Sequence, residues 1–163
     1  MITIRFSRGD GLLGGLVRAV TWSDFAHVGF KLHGGHVLDA TPQFGVADRV
    51  AADDAATRYF AVEAPDALVA QAVDWAWSQI GQPYDWSGAL GVGLHRDWHG
   101  SGRWDCAELV WQAFKVAGLE LVRADHLDRV TPATLLLSPY LRRLPAATVE
   151  RDPGAIGGSI LSH

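Results

Sequence analysis

The stretch Trp104-Asp105-Cys106-Ala107-Glu108-Leu109-Val110 constrains this chain more than any other. From Cys106 onward, apolar residues fall at Cys106, Leu109, Val110, Ala113, Phe114 and Ala117, the i, i+3, i+4 spacing of a helix that buries one face. Asp105 stands where an N-cap belongs, and Glu108, three residues on, completes a capping-box pattern. Gly118 supplies the stop. Cys106, the single cysteine of the chain, thereby falls in the first turn, where unpaired backbone N–H groups and the helix dipole favour an anion. A free thiol ionises near pH ~8.5, but at a helix start or beside a histidinium the value falls to roughly 3.5–7.5. Two readings stand side by side: a thiolate nucleophile, or the small buried hydrophobe that most lone cysteines are.

The rest of the chain reads as short strands and helices in alternation. Residues 2–6 alternate as a strand, and Leu12 to Val20 carry helical spacing weakened by Gly11, Gly14 and Gly15. Ala26 to Leu32 reads as a strand, with Gly34-Gly35 as a hairpin turn and His36 to Ala40 as its return. Residues 41–58 read as loop with short extended pieces, and Tyr59 to Glu63 as another strand. Asp66 is placed to cap a helix through Ile80, with Val69, Val73, Ala76, Trp77 and Ile80 inward; Gly81 and Pro83 end it. Residues 84–103 form a long Gly- and Trp-containing loop of the kind that builds sites. Extended pieces near Leu119 to Val122 and Leu141 to Leu144 bracket a short helix at Thr131 to Leu137 that opens on Pro132. No repeat and no linker divides the chain. The expectation is one α+β domain over residues 1–145 and a tail, residues 146–163, poor in packing residues.

Composition excludes several function classes. A net charge of −4 with no long basic run argues against nucleic acid. One cysteine rules out an internal disulfide and a multi-cysteine zinc site. No apolar run approaches the ~20 residues of a membrane span, and the alternating first residues lack a signal-peptide core. The chain is therefore expected to be made as a soluble cytoplasmic protein, a reading that leaves room for delivery to the cell envelope by a phage particle or a secretion machine. No cofactor is expected.

A thiol nucleophile needs a base within hydrogen-bond reach, and the base an orienting group. Of seven histidines, His27 stands out because it opens a strand built for burial and is followed by Gly29, which leaves room above that face. A half-exposed strand histidine without a task is the alternative. Asp39 lies on the return strand, where a hairpin brings side chains to Cβ separations of ~4.5–5.5 Å for direct pairs, so its carboxylate can accept the second ring N–H of His27. His36 competes for that orienting role, but strand parity puts it on the opposite face from Asp39. Tyr84, just after Gly81-Gln82-Pro83, offers a hydroxyl to an oxyanion, together with the Cys106 backbone N–H; a tyrosine packing the turn is the alternative. Asp105, Trp104 and Trp86 flank the site, and Trp98 joins them as candidate lining of a substrate groove. His95-x-x-x-His99 and His33-x-x-His36 have spacings that metals use, yet glycines surround both and no third ligand is evident. No metal site is expected.

The ordered set Gly9-Asp10, Ala26-His27-Val28-Gly29-Phe30, Val37-Leu38-Asp39-Ala40, Gly81-Gln82-Pro83-Tyr84-Asp85 and Asp105-Cys106-Ala107-Glu108-Leu109-Val110 resembles the circularly permuted branch of the NlpC-type papain-like hydrolases. That branch includes YiiX-like and lecithin:retinol acyltransferase-like proteins. Histidine before cysteine is the permuted order. The resemblance implies a papain-like antiparallel sheet packed on the cysteine helix, a Cys106 nucleophile, a His27 base and Asp39 as the third group, where other members often carry histidine or glutamate. It implies a cysteine peptidase or amidase acting on an amide bond, most readily a peptidoglycan peptide. The same thiolate chemistry would serve an acyltransferase or thioesterase working on lipid acyl groups, with residues 11–20 as the one candidate anchor, and a non-catalytic binding module of the same fold is the third alternative.

Overall fold

The computed structural model describes residues 1–8, 24–86, 102–123 and 129–145. Among them, strands β1 (Thr3–Ser7), β2 (His27–Lys31), β3 (His36–Thr41), β4 (Gly45–Val50), β5 (Arg58–Val62) and β6 (Leu141–Arg143) form one sheet in the order β4-β3-β2-β1-β5-β6, every neighbour antiparallel. The helices are α1 (Asp66–Ser78), α2 (Cys106–Val116) and α3 (Pro132–Leu135). The fold is mixed α+β. No helix of the described residues is long and apolar enough to cross a membrane.

Strand alternation divides the sheet into two unlike faces. Ile4, Phe6, Val28, Phe30, Leu38, Ala40, Val46 and Val62 make the apolar face, on which α2 lies over β2 and β3, with α1 alongside. Phe30 and Phe114 seal that seam with ring centroids 6.0 Å apart. Each such side chain, once fully buried, contributes ~1.5–3 kcal/mol, which is why this stripe fixes where the cysteine helix sits. The other face carries the buried polar side chains beside Val37 and a small apolar cluster of Tyr59, Ala61 and Leu144. Arg5 lies opposite both Gly29 and Tyr59, and its buried guanidinium bonds Ser7 Oγ, Asp53 Oδ1 and the Ala52 carbonyl. Tyr59 adds its hydroxyl to the same Asp53 carboxylate.

Several expectations needed correcting. Residues 45–50, inside a stretch read as loop with short extended pieces, form the edge strand β4, paired with β3 from Gly45 to Val50 and tied through Val46 N–H and C=O to Gln82 and Gly81 at the exit of α1. Gly45 makes that approach possible: it holds φ +65°, and a Cβ there would meet the Gln82 carbonyl oxygen. Helix α1 buries Val69, Ala72 and Ala76 rather than Trp77 and Ile80, which are 40% and 44% exposed. Its N-cap is Pro65, and Asp66 is its first helical residue. Residues 119–122 form no strand; Leu119 and Leu121 instead drop into the core as the chain leaves α2. Helix α2 is buried on more than the expected stripe, since Ala107 and Trp111 are covered too. The expected helix at 12–20, Gly9-Asp10, the metal-spaced pair His95 and His99, Trp98 and the tail 146–163 lie outside the described residues.

Candidate functional site

Cys106 is the first residue of α2. The Asp105 carboxylate fixes this helix start: its Oδ1 accepts from Ala107 N (2.8 Å) and Glu108 N (2.9 Å), and Glu108 reaches back to Asp105 N. The second oxygen, Oδ2, takes a hydrogen bond from Arg129 Nη2 at 2.7 Å. Both Asp105 oxygens are thus occupied by the protein itself. The segment before the helix is pinned as well. Trp104 N bonds Pro83 O, Asp85 N bonds Trp104 O, and the Trp104 indole N–H bonds Gln79 Oε1 at 3.1 Å while its ring stands edge-on to Trp75. This pairing sets Tyr84 beside the cysteine turn, with Trp86 edge-on to it at 5.6 Å.

The polar face of the sheet brings the partners. Phe30 pairs with Leu38 and Lys31 with Val37, so continuing the register puts Asp39 across from Gly29 and diagonal to His27. Gly29 carries no Cβ, and the Asp39 side chain crosses its place to reach the ring: His27 Nε2 donates to Asp39 Oδ2 at 2.7 Å. Asp39 has no solvent exposure, while His27 keeps 14%. The thiol lies near the start of the same strand. Cys106 Sγ is 3.9 Å from the Ala26 carbonyl oxygen, one residue before His27, close enough to bear on the pKa of the ring. With Nε2 committed to Asp39, Nδ1 is the ring nitrogen left for the thiol. His36 is turned away, its Nδ1 bonded to Asp48 Oδ1 at 2.9 Å.

Electrostatics sharpen the arrangement. Burial alone would lower the pKa of His27. The neighbouring Cys106, the hydrogen bond with Asp39 and the Asp39 charge override it and push the value up to about 10. Burial first, then the charges of Cys106 and Asp105, raise the Tyr84 pKa, so its hydroxyl keeps its proton as a hydrogen-bond donor. Glu108 is pushed up to about 8 by burial and by the neighbouring Asp105 carboxylate.

Two residues of this site escaped sequence reasoning. Arg49 grips Asp39 with two bonds, Nε to Oδ1 at 3.0 Å and Nη2 to Oδ2 at 2.7 Å. Val46-Ala47-Asp48-Arg49-Val50 shows no clean apolar alternation, so nothing local marked Arg49. Arg129 as partner of Asp105 had no local signal, because the contact joins residues 24 apart with helix α2 between them.

Comparison with known proteins identifies the fold and nothing finer. No family model matches the chain, and no curated protein does. The crystal structure of the metalloprotein yiiX from Escherichia coli O157:H7 superposes with a TM-score of 0.69 at 17% identity, covering 88% of this chain and 95% of that one. The chain thus shares the papain-like fold of YiiX.

Proposed function

We propose that this protein is a thiol hydrolase that cleaves an amide bond, with Cys106 as nucleophile, His27 as acid and base, and Asp39 as the group that orients His27. The observation that carries this reading is the His27 ring, bonded through Nε2 to a fully buried carboxylate, with the sulfur of the only cysteine 3.9 Å from the carbonyl oxygen of the residue before it. A raised imidazole pKa next to a thiol at a helix start is the electrostatic signature of a thiolate–imidazolium pair.

In that state the Cys106 thiolate attacks the carbonyl carbon and the carbonyl electrons move to oxygen. In this reading the Cys106 backbone N–H and the protonated Tyr84 hydroxyl donate to that oxyanion, each such donor being worth ~2.7–4 kcal/mol. Collapse of the tetrahedral intermediate breaks the C–N bond, and the amine leaves with the proton of the His27 imidazolium. Neutral His27 then takes a proton from water, the hydroxide attacks the thioester carbon, and the acid departs. The thiolate and imidazolium are restored together. Asp105 and Trp104, each bonded within the fold, shape the wall beside this centre.

The resemblance of the motif order to permuted NlpC-type hydrolases supports a peptide bond of bacterial cell-wall peptidoglycan as substrate, reached by a phage- or effector-type route. YiiX is described as a metalloprotein; among the described residues of this chain no three His, Cys, Asp or Glu side chains gather as metal ligands, and no step here is routed through a metal. The test is muropeptide cleavage by wild type and Cys106→Ala. Cleavage lost in a folded Cys106→Ala protein is the expected result, and unchanged cleavage removes Cys106 from the chemistry.

A further inference from the structure

Asp39 is a carboxylate with no contact to solvent, and an isolated buried charge of that kind is expensive to keep ionised. Its two oxygens receive three bonds. Oδ2 accepts from His27 Nε2 and from Arg49 Nη2, both at 2.7 Å, and Oδ1 accepts from Arg49 Nε at 3.0 Å. His27 alone would hold the carboxylate at one point and leave it free to turn about its last torsion. The Arg49 fork holds it at two points and fixes its plane. Strand register accounts for the placement: Asp39 pairs with Ala47 and Val37 with Arg49, so Arg49 stands two residues along β4 on the same polar face, within a diagonal reach of Asp39.

Charge balance points the same way. Were His27 the sole cation beside Asp39, the imidazolium would close on the carboxylate as a buried ion pair. Arg49 supplies the cation that Asp39 requires. The positive charge of His27 is then available to the Cys106 sulfur.

We infer that Arg49 is a positioning residue: by gripping both oxygens of Asp39 it holds the carboxylate in the plane that receives His27 Nε2–H, and so keeps Nδ1 free for Cys106. The inference rests on the proposed thiolate–imidazolium pair, and the two fail separately. The experiment uses the full chain as wild type, Arg49→Met, Arg49→Lys, Asp39→Asn and the Asp39→Asn/Arg49→Met double variant. It reads the alkylation rate of Cys106 by iodoacetamide near pH 6 and the downfield proton NMR signal of His27 Nε2–H. Arg49→Met is expected to slow alkylation about tenfold and to broaden away the downfield signal. Arg49→Lys, which keeps the charge without the fork, is expected to recover the rate in part and the signal not at all. In the Asp39→Asn background the same Arg49→Met change is expected to alter the rate less than about twofold, since no carboxylate remains to be held. A structural role would slow both backgrounds alike.

A wild-type rate and signal in Arg49→Met, or an equal loss in the Asp39→Asn background, overturns the inference. Should Arg49→Met not fold, Arg49→Lys decides: a wild-type signal there overturns the role of the fork, and its loss supports it. Alkylation of wild-type Cys106 near pH 6 at the rate of an ordinary thiol would instead defeat the thiolate–imidazolium reading, and the His27 signal would still report whether Arg49 governs the His27–Asp39 bond.

Discussion

Replacing Gly29 by alanine adds one methyl group at the most crowded point of the polar face. A Cβ there would stand 2.7 Å from Asp39 Cβ, 2.7 Å from Val37 Cγ1 and 3.0 Å from the Leu38 carbonyl oxygen. Carbon atoms in ordinary contact are ~3.5–4.0 Å apart. Val37 can turn its methyl aside, but Asp39 Cβ and Leu38 O belong to the backbone of β3 or sit directly on it. That strand must therefore retreat by about 1 Å. The His27–Asp39 bond, 2.7 Å long, would then open to about 3.7 Å, past the ~3.2 Å at which such bonds end. Alanine gains roughly 0.5–1 kcal/mol over glycine in a strand interior, whereas overpacking costs ~1–3 kcal/mol and losing a hydrogen bond to a charged group ~1.5–3 kcal/mol. The costs win. For a domain of this size the overpacking alone lowers Tm by about 2–12 °C. Thermal melts followed by circular dichroism, with Cys106 alkylation near pH 6 measured in parallel, provide the assay. Gly29→Ala is expected to melt lower and to alkylate more slowly by at least about tenfold. A variant that melts within about 1 °C of wild type and alkylates at the wild-type rate would show that Asp39 does not depend on the gap above Gly29.

Two pH-dependent effects follow from the same helix start and the same ring. Glu108, pushed up to about 8, binds a proton in the native state over a window where the unfolded chain has released it, so native stability falls as pH rises from the ordinary carboxylate range to about 8. Glu108→Gln keeps an acceptor for Asp105 N–H and never charges; it should match wild type near pH 5 and melt above it near pH 9, and parallel pH curves would refute the assignment. His27, raised to about 10, contributes stability that is complete below the unfolded value near 6.5 and is lost as pH rises through about 10. The Tm difference between wild type and His27→Gln should therefore shrink between pH 6.5 and 10, and a constant difference would contradict a charged ring.

The parts of the fold legible in the sequence were those written in local chemistry. The capping box at Asp105 and Glu108 appears as such, and so does Pro132 in the first turn of α3. Strand alternation through His27 to Lys31 and His36 to Thr41 fixed the faces on which His27 and Asp39 would fall. What stayed hidden needed a neighbour far along the chain. Strand β4 lacks a clean apolar alternation, and beyond β3 it is tied to Gln82, a partner that no window around Val46 contains. Trp77 and Ile80 share the helical period of Val69 and Ala76, and periodicity alone cannot tell which edge of that stripe meets α2. Arg49 and Arg129 are charged residues in polar stretches, and their role arises only when a buried carboxylate is brought to them. The diagonal crossing at Gly29 is a matter of register, which a one-residue shift in the turn would have changed.

Strand β1 has consequences for how the molecule is assembled as it is synthesised. It precedes β2 and β5 in the chain, yet it ends up between them, so its second hydrogen-bonding edge stays open until residue 62 has left the ribosome. During that interval Ile4 and Phe6 sit on a half-paired ribbon, open to any passing strand and attractive to a holdase chaperone. The helix that covers them is later still. Nascent chains of this protein should therefore be most prone to misassociate while stalled between residues 31 and 62, and slowing translation within that window should lower soluble yield more than slowing it after.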